Sequence, residues 1–283
     1  MKPIMFATLR EAVRKKTFVV MGIVTVLYLV FWTAILYYFT DRIGSNADSI
    51  RPLATLFLSQ SGLQFSSMIL CLLTVMLSAG AVASDLENGT IHAILSRPLG
   101  RIEFILGKLA GLGVLVCAYA TALFAAILLI GWAFSFDTVT ALAAGQILAS
   151  WVLYLLVPLC VLCLTLFGST VLKVVPNGLL MIFIYILGFI GGMVEMVGNL
   201  INNVSVTSAG IFVSLLSPFH TLYAAAERTL FPSSGIAGDM LRGMSGLSGS
   251  GQPASAAMYA YIAVYALAFL GLAVWRFRRT DIN

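Results

Sequence analysis

Ser84-Asp85-Leu86-Glu87-Asn88-Gly89-Thr90-Ile91-His92-Ala93-Ile94-Leu95-Ser96-Arg97-Pro98-Leu99-Gly100-Arg101-Ile102-Glu103-Phe104-Ile105-Leu106-Gly107-Lys108 is the most charge-dense run in the interior of an otherwise apolar chain. Long hydrophobic segments flank it on both sides. A charged side chain at the centre of a bilayer costs roughly 2.5–3.5 kcal/mol even on insertion scales, so a run this charged does not share one span. It therefore lies outside the membrane, and its flanks are two separate crossing helices. That reading sets the fold class, an all-α polytopic membrane protein.

Composition agrees. Of 283 residues, 60% are hydrophobic and 10% charged, with a mean hydropathy of +1.03; a soluble domain carries about 25% charged residues. Several apolar stretches reach the roughly 20 residues that cross a bilayer as helix. They are continuous rather than alternating, which argues against a closed β-barrel. The net charge of +5 follows from topology, so no nucleic-acid partner is expected. Cys71, Cys117, Cys160 and Cys163 all fall inside predicted spans, which leaves no disulfide framework to read. No cleavable signal peptide is expected, because the basic start is too long and no small-residue cleavage site follows the first apolar run.

Working outward from the central stretch, a second span (about Leu63 to Ala83) leads into it and a third (about Leu106 to Phe134) leads away. The first span covers about Thr17 to Phe39, with Trp32, Tyr37 and Tyr38 as interfacial aromatics. The fourth runs from about Ile147 to Leu172, and Pro158 inside it removes a backbone hydrogen bond and predicts a kink. After a turn at Lys173–Gly178 comes the fifth span, Leu179 to Val197, and the sixth covers Met258 to Trp275. Ahead of them all, residues 2–16 place Met5, Phe6, Leu9, Ala12 and Val13 on one arc of a helix and Arg10, Glu11, Arg14 and Lys15 on the other. That is the pattern of an N-terminal interfacial helix with its basic face toward anionic headgroups. The chain reads as one transmembrane domain over residues 1–283.

With six spans and both termini cytoplasmic, only Arg42, Arg51, Arg228 and Arg242 of the 16 Lys and Arg lie outside, as the positive-inside rule asks. The segment 198–257 is then extracytoplasmic. Ala209–Leu216 is apolar but too short to cross, Ser217-Pro218 interrupts it, and Thr221–Leu230 forms a second short helix. Together they predict an outer re-entrant helical hairpin before the last span, tolerated at membrane depth only when packed against protein. Ser233–Pro253, rich in Gly and Ser, reads as a loop. Asn203-Val204-Ser205 matches a glycosylation triplet, but so short a match carries no weight.

Within the central stretch, Ser84-Asp85-Leu86-Glu87 has capping-box spacing. Asn88-Gly89 signals a turn, Thr90 suits the cap of a two-turn helix over Ile91–Ser96, and Pro98 and Gly100 stop it. Ile91, Ile94 and Leu95 share one side of that helix, while Arg97, Arg101 and Lys108 stand at the inner headgroup level as anchors. A short helix with an apolar stripe and charged flanks suits docking into a groove of a soluble partner. A loop that merely joins two spans satisfies the same residues.

Glu87-Asn88-Gly89-Thr90-Ile91, then Leu95-Ser96-Arg97-Pro98-Leu99-Gly100-Arg101, then Gly107-Lys108 resembles the signature of ABC-2 type permeases, the membrane subunits of a class of ABC transporters. The six spans, the basic N-terminal helix and the hairpin extend the resemblance over the whole chain. It implies two permease subunits, identical or paralogous, in membrane lipid on a dimer of ABC-type ATPase subunits, with ATP and Mg bound by the ATPases and no cofactor in this chain. It implies, too, that the stretch 84–103 receives the ATPase motion. The residues carrying it would be Glu87, Asn88, Gly89, Thr90, Ile91, His92, Ile94, Leu95, Arg97, Pro98 and Arg101. The outer hairpin would help to form an exit gate, and export is the family's usual direction.

Other chemistries fit less well. Gly100 to Lys108 is no phosphate loop, since six residues rather than four separate Gly100 from Gly107 and Leu109 stands where Ser or Thr would hold magnesium. An intramembrane protease lacks a Gly-x-Ser-x-Gly elbow, and His92 and His220 are poorly placed to pair with a serine in a span. Met181, Met193 and Met196 with the cysteines could favour Cu(I), but Met and Cys more often fill apolar contacts. No catalytic or metal-ligating residue is expected. A secondary transporter or channel is the main alternative; a proton- or ion-coupled transporter would need ionisable groups near the midplane, where this sequence has almost none. The same lack of charge favours an apolar or amphipathic cargo.

Overall fold

The computed structural model describes residues 2–43, 51–87, 101–134, 142–231 and 255–279. Among them are ten helices: α1 (Lys2–Arg14), α2 (Lys16–Ile43), α3 (Arg51–Ser78), α4 (Ala83–Glu87), α5 (Arg101–Ala133), α6 (Ala144–Ser169), α7 (Val174–Leu200), α8 (Val204–Leu216), α9 (Phe219–Leu230) and α10 (Ala256–Arg279). No strand occurs among the described residues. Six helical stretches are long and apolar enough to cross a membrane: Lys16–Phe39, Ala54–Asp85, Ile102–Ala133, Ala144–Ser169, Val174–Asn199 and Ala256–Phe277. The Gly- and Ser-rich run Ser233–Pro253 lies outside the described residues.

The second span is the interior helix, and it begins earlier than its hydropathy suggests. Of its apolar window 72% is buried, against 11% for the last span. Thr55, Ser59, Gln60 and Ser61, which depress the apolar signal ahead of Leu63, are buried inside the bundle instead of sitting in a loop. Hydroxyls on a helix can return their proton to the carbonyl one turn back, as Ser59 does to Thr55 at 2.8 Å and Thr74 to Leu70 at 2.8 Å. Tyrosines from three neighbours close on the same helix: Tyr28 on the Gly62 carbonyl at 2.5 Å, Tyr154 with the Ser66 hydroxyl at 2.9 Å, and Tyr223 on the Gln60 carbonyl at 3.3 Å. Pro158 lies buried inside α6 without ending it, and Pro176 falls in the first turn of α7, where its missing donor is tolerated.

Trp32 departs from its predicted interfacial position. It is 5% exposed and packs with Leu36 and Leu58. Gly62 makes room for it, since a Cβ there would stand 2.6 Å from the indole ring. Tyr37 and Tyr38 are exposed as expected of interfacial aromatics.

Small residues organise the other end of the bundle. α8 returns antiparallel along α7, with Gly198 against Thr207, Gly210 against Glu195, Gly191 against Ser214 and Gly188 against Ser217. A Cβ on Gly198 would lie 2.5 Å from the Thr207 nitrogen, so only glycine permits this approach. Asn202 takes a left-handed φ of 51° in the connecting turn, and the Asn203 side chain accepts from the Ser205 and Val206 nitrogens as the N-cap of α8. The asparagine of the glycosylation triplet thus has a structural task. At Ser217-Pro218 the chain bends by 100° into α9, which packs on α6, Ser150 donating to the Ala226 carbonyl at 2.8 Å. Ser217 meets α7 midway along its length, whereas Thr207 and Ala226 lie near the end of α7 and the start of α6. The hairpin therefore enters and leaves at one end of the bundle. His220 is buried against Gly192 and edge-on to Phe189 at 5.8 Å, inside the bundle.

Candidate functional site

At the opposite end, α3 stops at Ser78 and four residues of turn precede α4. A helix that breaks inside a membrane protein releases carbonyls that need new donors. Three come from three elements. The Asn177 amide of α7 donates to the Ala79 carbonyl at 2.9 Å and to Thr165 of α6 at 3.1 Å. The Ser84 hydroxyl of α4 turns back to the Gly80 carbonyl. The Lys108 ammonium of α5 takes the Ala81 carbonyl and pairs with the Asp85 carboxylate.

Two expectations are corrected here. Ser84 does not cap the helix that follows; its hydroxyl turns back to the Gly80 carbonyl, which also accepts from the Ser84 backbone nitrogen at 3.2 Å. Lys108 does not snorkel to the headgroups. It is 4% exposed, two turns into α5, with its ammonium 5.1 Å from the centre of the Phe104 ring. Burial of an ammonium is offset only by a counter-charge and further hydrogen bonds, which Asp85 and the Ala81 carbonyl supply.

The cluster reaches two more helices. Phe104 stacks on Phe277 of α10, with ring centres 5.6 Å apart and planes at 16°. One turn beyond Lys108, Gly111 lets α1 lie against α5; a Cβ would stand 2.8 Å from the Met5 carbonyl and 3.0 Å from Thr8. On α1, Glu11 pairs with Lys15 at 2.9 Å. Partial burial pushes the Glu11 carboxyl up, but the Lys15 hydrogen bond and charge, with the Lys108 charge behind them, hold it below its ordinary value. Only part of the predicted apolar arc of α1 meets protein. Thr8 and Ala12 are buried, whereas Phe6 and Val13 are exposed beside Arg10 and Arg14 around an open groove.

Of the predicted coupling residues, Glu87 is exposed at the end of α4 and Arg101 opens α5. Asn88, Gly89, Thr90, Ile91, His92, Ile94, Leu95, Arg97 and Pro98 lie outside the described residues. What the structure brings together is the frame on either side of them, through Asp85 and Lys108. Neither of those was singled out as a site residue, nor was Asn177. A lysine two turns inside an apolar helix, with an aspartate at the close of the preceding span, was the available signal.

A second feature lies in the middle of α3. The Gln60 amide and the Gln64 side-chain carbonyl are buried without a hydrogen-bond partner. About one turn further on, a cavity of about 210 Å³ opens between α3 and α7, lined by Met68, Ile69, Cys71, Leu72, Val75, Ile182, Tyr185 and Ile186. Among the described residues, no three His, Cys, Asp or Glu side chains converge as a metal site would require.

In comparison with known proteins, a family model described as ABC-2 family transporter protein matches residues 4–282. No curated protein matches the chain.

Proposed function

The chain belongs to the ABC-2 family of transporter proteins, and from that premise we propose that it is an export permease driven by separate ATPase subunits. The observation that carries this reading is the family match over nearly the whole chain. Within the coupling stretch 84–103, Glu87 and residues 88–100 between α4 and α5 form the docking segment, which faces the cytoplasm with both termini. Glu87, Gly89, Thr90, Ile91, Ile94 and Leu95 meet the ATPase, and two permease subunits share an ATPase dimer. ATP-driven closure of that dimer switches helix packing between two discrete arrangements.

The cargo is apolar or amphipathic. The α3–α7 cavity has apolar walls, and the unpartnered Gln60 and Gln64 groups nearby would accept a polar end, because an unsatisfied buried amide is costly.

The test is affinity purification of the tagged chain from its native membrane in mild detergent. The expected result is an ABC-type ATPase at near-equal stoichiometry, lost from the Ile91→Asp/Leu95→Asp variant although that variant still inserts. A chain that emerges alone, under conditions that preserve other ABC complexes, would favour a channel or secondary carrier.

A further inference from the structure

We propose that Lys108, with Asp85, is a positioning pair that converts movement of the 88–100 segment into movement of the spans. This rests on the permease reading above and adds the route by which force leaves the docking segment.

The segment has two ends. Its exit is α5, a continuous helix that carries any push along its own axis. Its entrance is the short α4, joined to α3 by the turn at 79–82, where backbone bonds such as Ser84 N to Gly80 O at 3.2 Å keep the chain coiled and a bond from a neighbouring helix ties it to the rest. The Lys108 ammonium holds it from α5, bonded at once to the Ala81 carbonyl inside the break and to Asp85 beyond it. Both ends of the segment therefore move as one body.

The same lysine sits where that body meets its neighbours. Phe104, under the ammonium, stacks on Phe277 of the last span. Gly111 seats α1, whose Glu11 lies within the field of the Lys108 charge. On the far side of the break, Asn177 ties Ala79 to α7, the helix along whose glycines the hairpin returns. A displacement of α4 and α5 thus reaches the hairpin end through directly bonded or packed groups. Neither charge is among the residues proposed to meet the ATPase, so neutralising either one tests the attachment of the docking segment.

The experiment uses the full permease–ATPase complex in lipid nanodiscs. The four native cysteines are replaced by alanine and a bimane fluorophore is attached at Val204→Cys, an exposed position at the hairpin end. Emission is read before and after trapping with ATP and vanadate. Asp85→Asn and Lys108→Met are expected to bind the ATPase within about twofold of the unaltered affinity and to lose most of the ATP-dependent emission change. Asp85→Glu, which keeps the charge, is expected to restore it. If Lys108→Met fails to fold, the nearly isosteric Asp85→Asn decides alone.

An emission change that survives in Asp85→Asn would overturn the proposal. So would a parallel loss of ATPase binding, which would make the pair a support of the docking surface only, or a failure of Asp85→Glu to restore the change. An unaltered chain that binds no ATPase would overturn the permease reading itself, and it is told apart because no variant is needed to see it.

Discussion

Asn177 illustrates how a single polar side chain earns burial in a membrane protein. Its amide donates to carbonyls of two other helices, Ala79 and Thr165, and it is fully buried. Gly168 leaves the space its side chain occupies. Replacing it with alanine leaves two carbonyls without that donor, at a cost of about 1–3 kcal/mol for each buried group left unsatisfied. Asn177→Ala should therefore lower the thermal unfolding midpoint in detergent while secondary structure measured by circular dichroism is retained. An unchanged midpoint would mean that water replaces the amide. In the sequence, Lys173-Val174-Val175-Pro176-Asn177-Gly178 looked like a loop, because Pro, Asn and Gly together signal a turn. Here Pro176 stands in the first turn of α7, Asn177 reaches inward and Gly178 lies against Ala79.

Among the elements, the α8–α9 pair was the most legible and the central stretch the least. The break at Ser217-Pro218, the shortness of the first helix and the start of the second near Thr221 could all be read from residue order. The glycine seam was not legible, because Gly188, Gly191, Gly198 and Gly210 acquire meaning only once α8 lies on α7. The seam also states what the hairpin must do. Since both its ends lie where α7 finishes and α6 begins, cysteines at Val204 and Thr229 should react with a membrane-impermeant maleimide from the same side, the extracytoplasmic one. Reaction from opposite sides in intact and inverted vesicles would mean that the bent pair crosses, for a total of seven spans.

For the whole molecule, the proposed topology of six crossings would place both termini on one side of the membrane, and the Lys and Arg distribution would make that side the cytoplasm. Reporter fusions at either end should therefore both show cytoplasmic activity: high signal from a fluorescent protein and none from a reporter that folds only after export. A split result would require an odd number of crossings. The spans differ greatly in burial, from the interior α3 to the peripheral α10. The exposed apolar faces of α2 and α7, with Leu27, Phe31, Leu179 and Phe183 among them, need lipid or a second permease as cover.

Sequence by itself determined the class of the molecule, the number of its apolar spans, the resemblance to a transporter family and the position of the hairpin. These follow from the length and order of apolar runs, which the bilayer reads without reference to contacts. Only the tertiary structure decided which span is central, where Trp32 and His220 go, and that Lys108 faces Asp85 rather than lipid. Those outcomes depend on which faces meet. A polar residue within a span has the same hydropathy whether it faces a carbonyl, a carboxylate or a headgroup, and its partner here lies 23 residues away for Asp85 and Lys108 and 98 for Ala79 and Asn177.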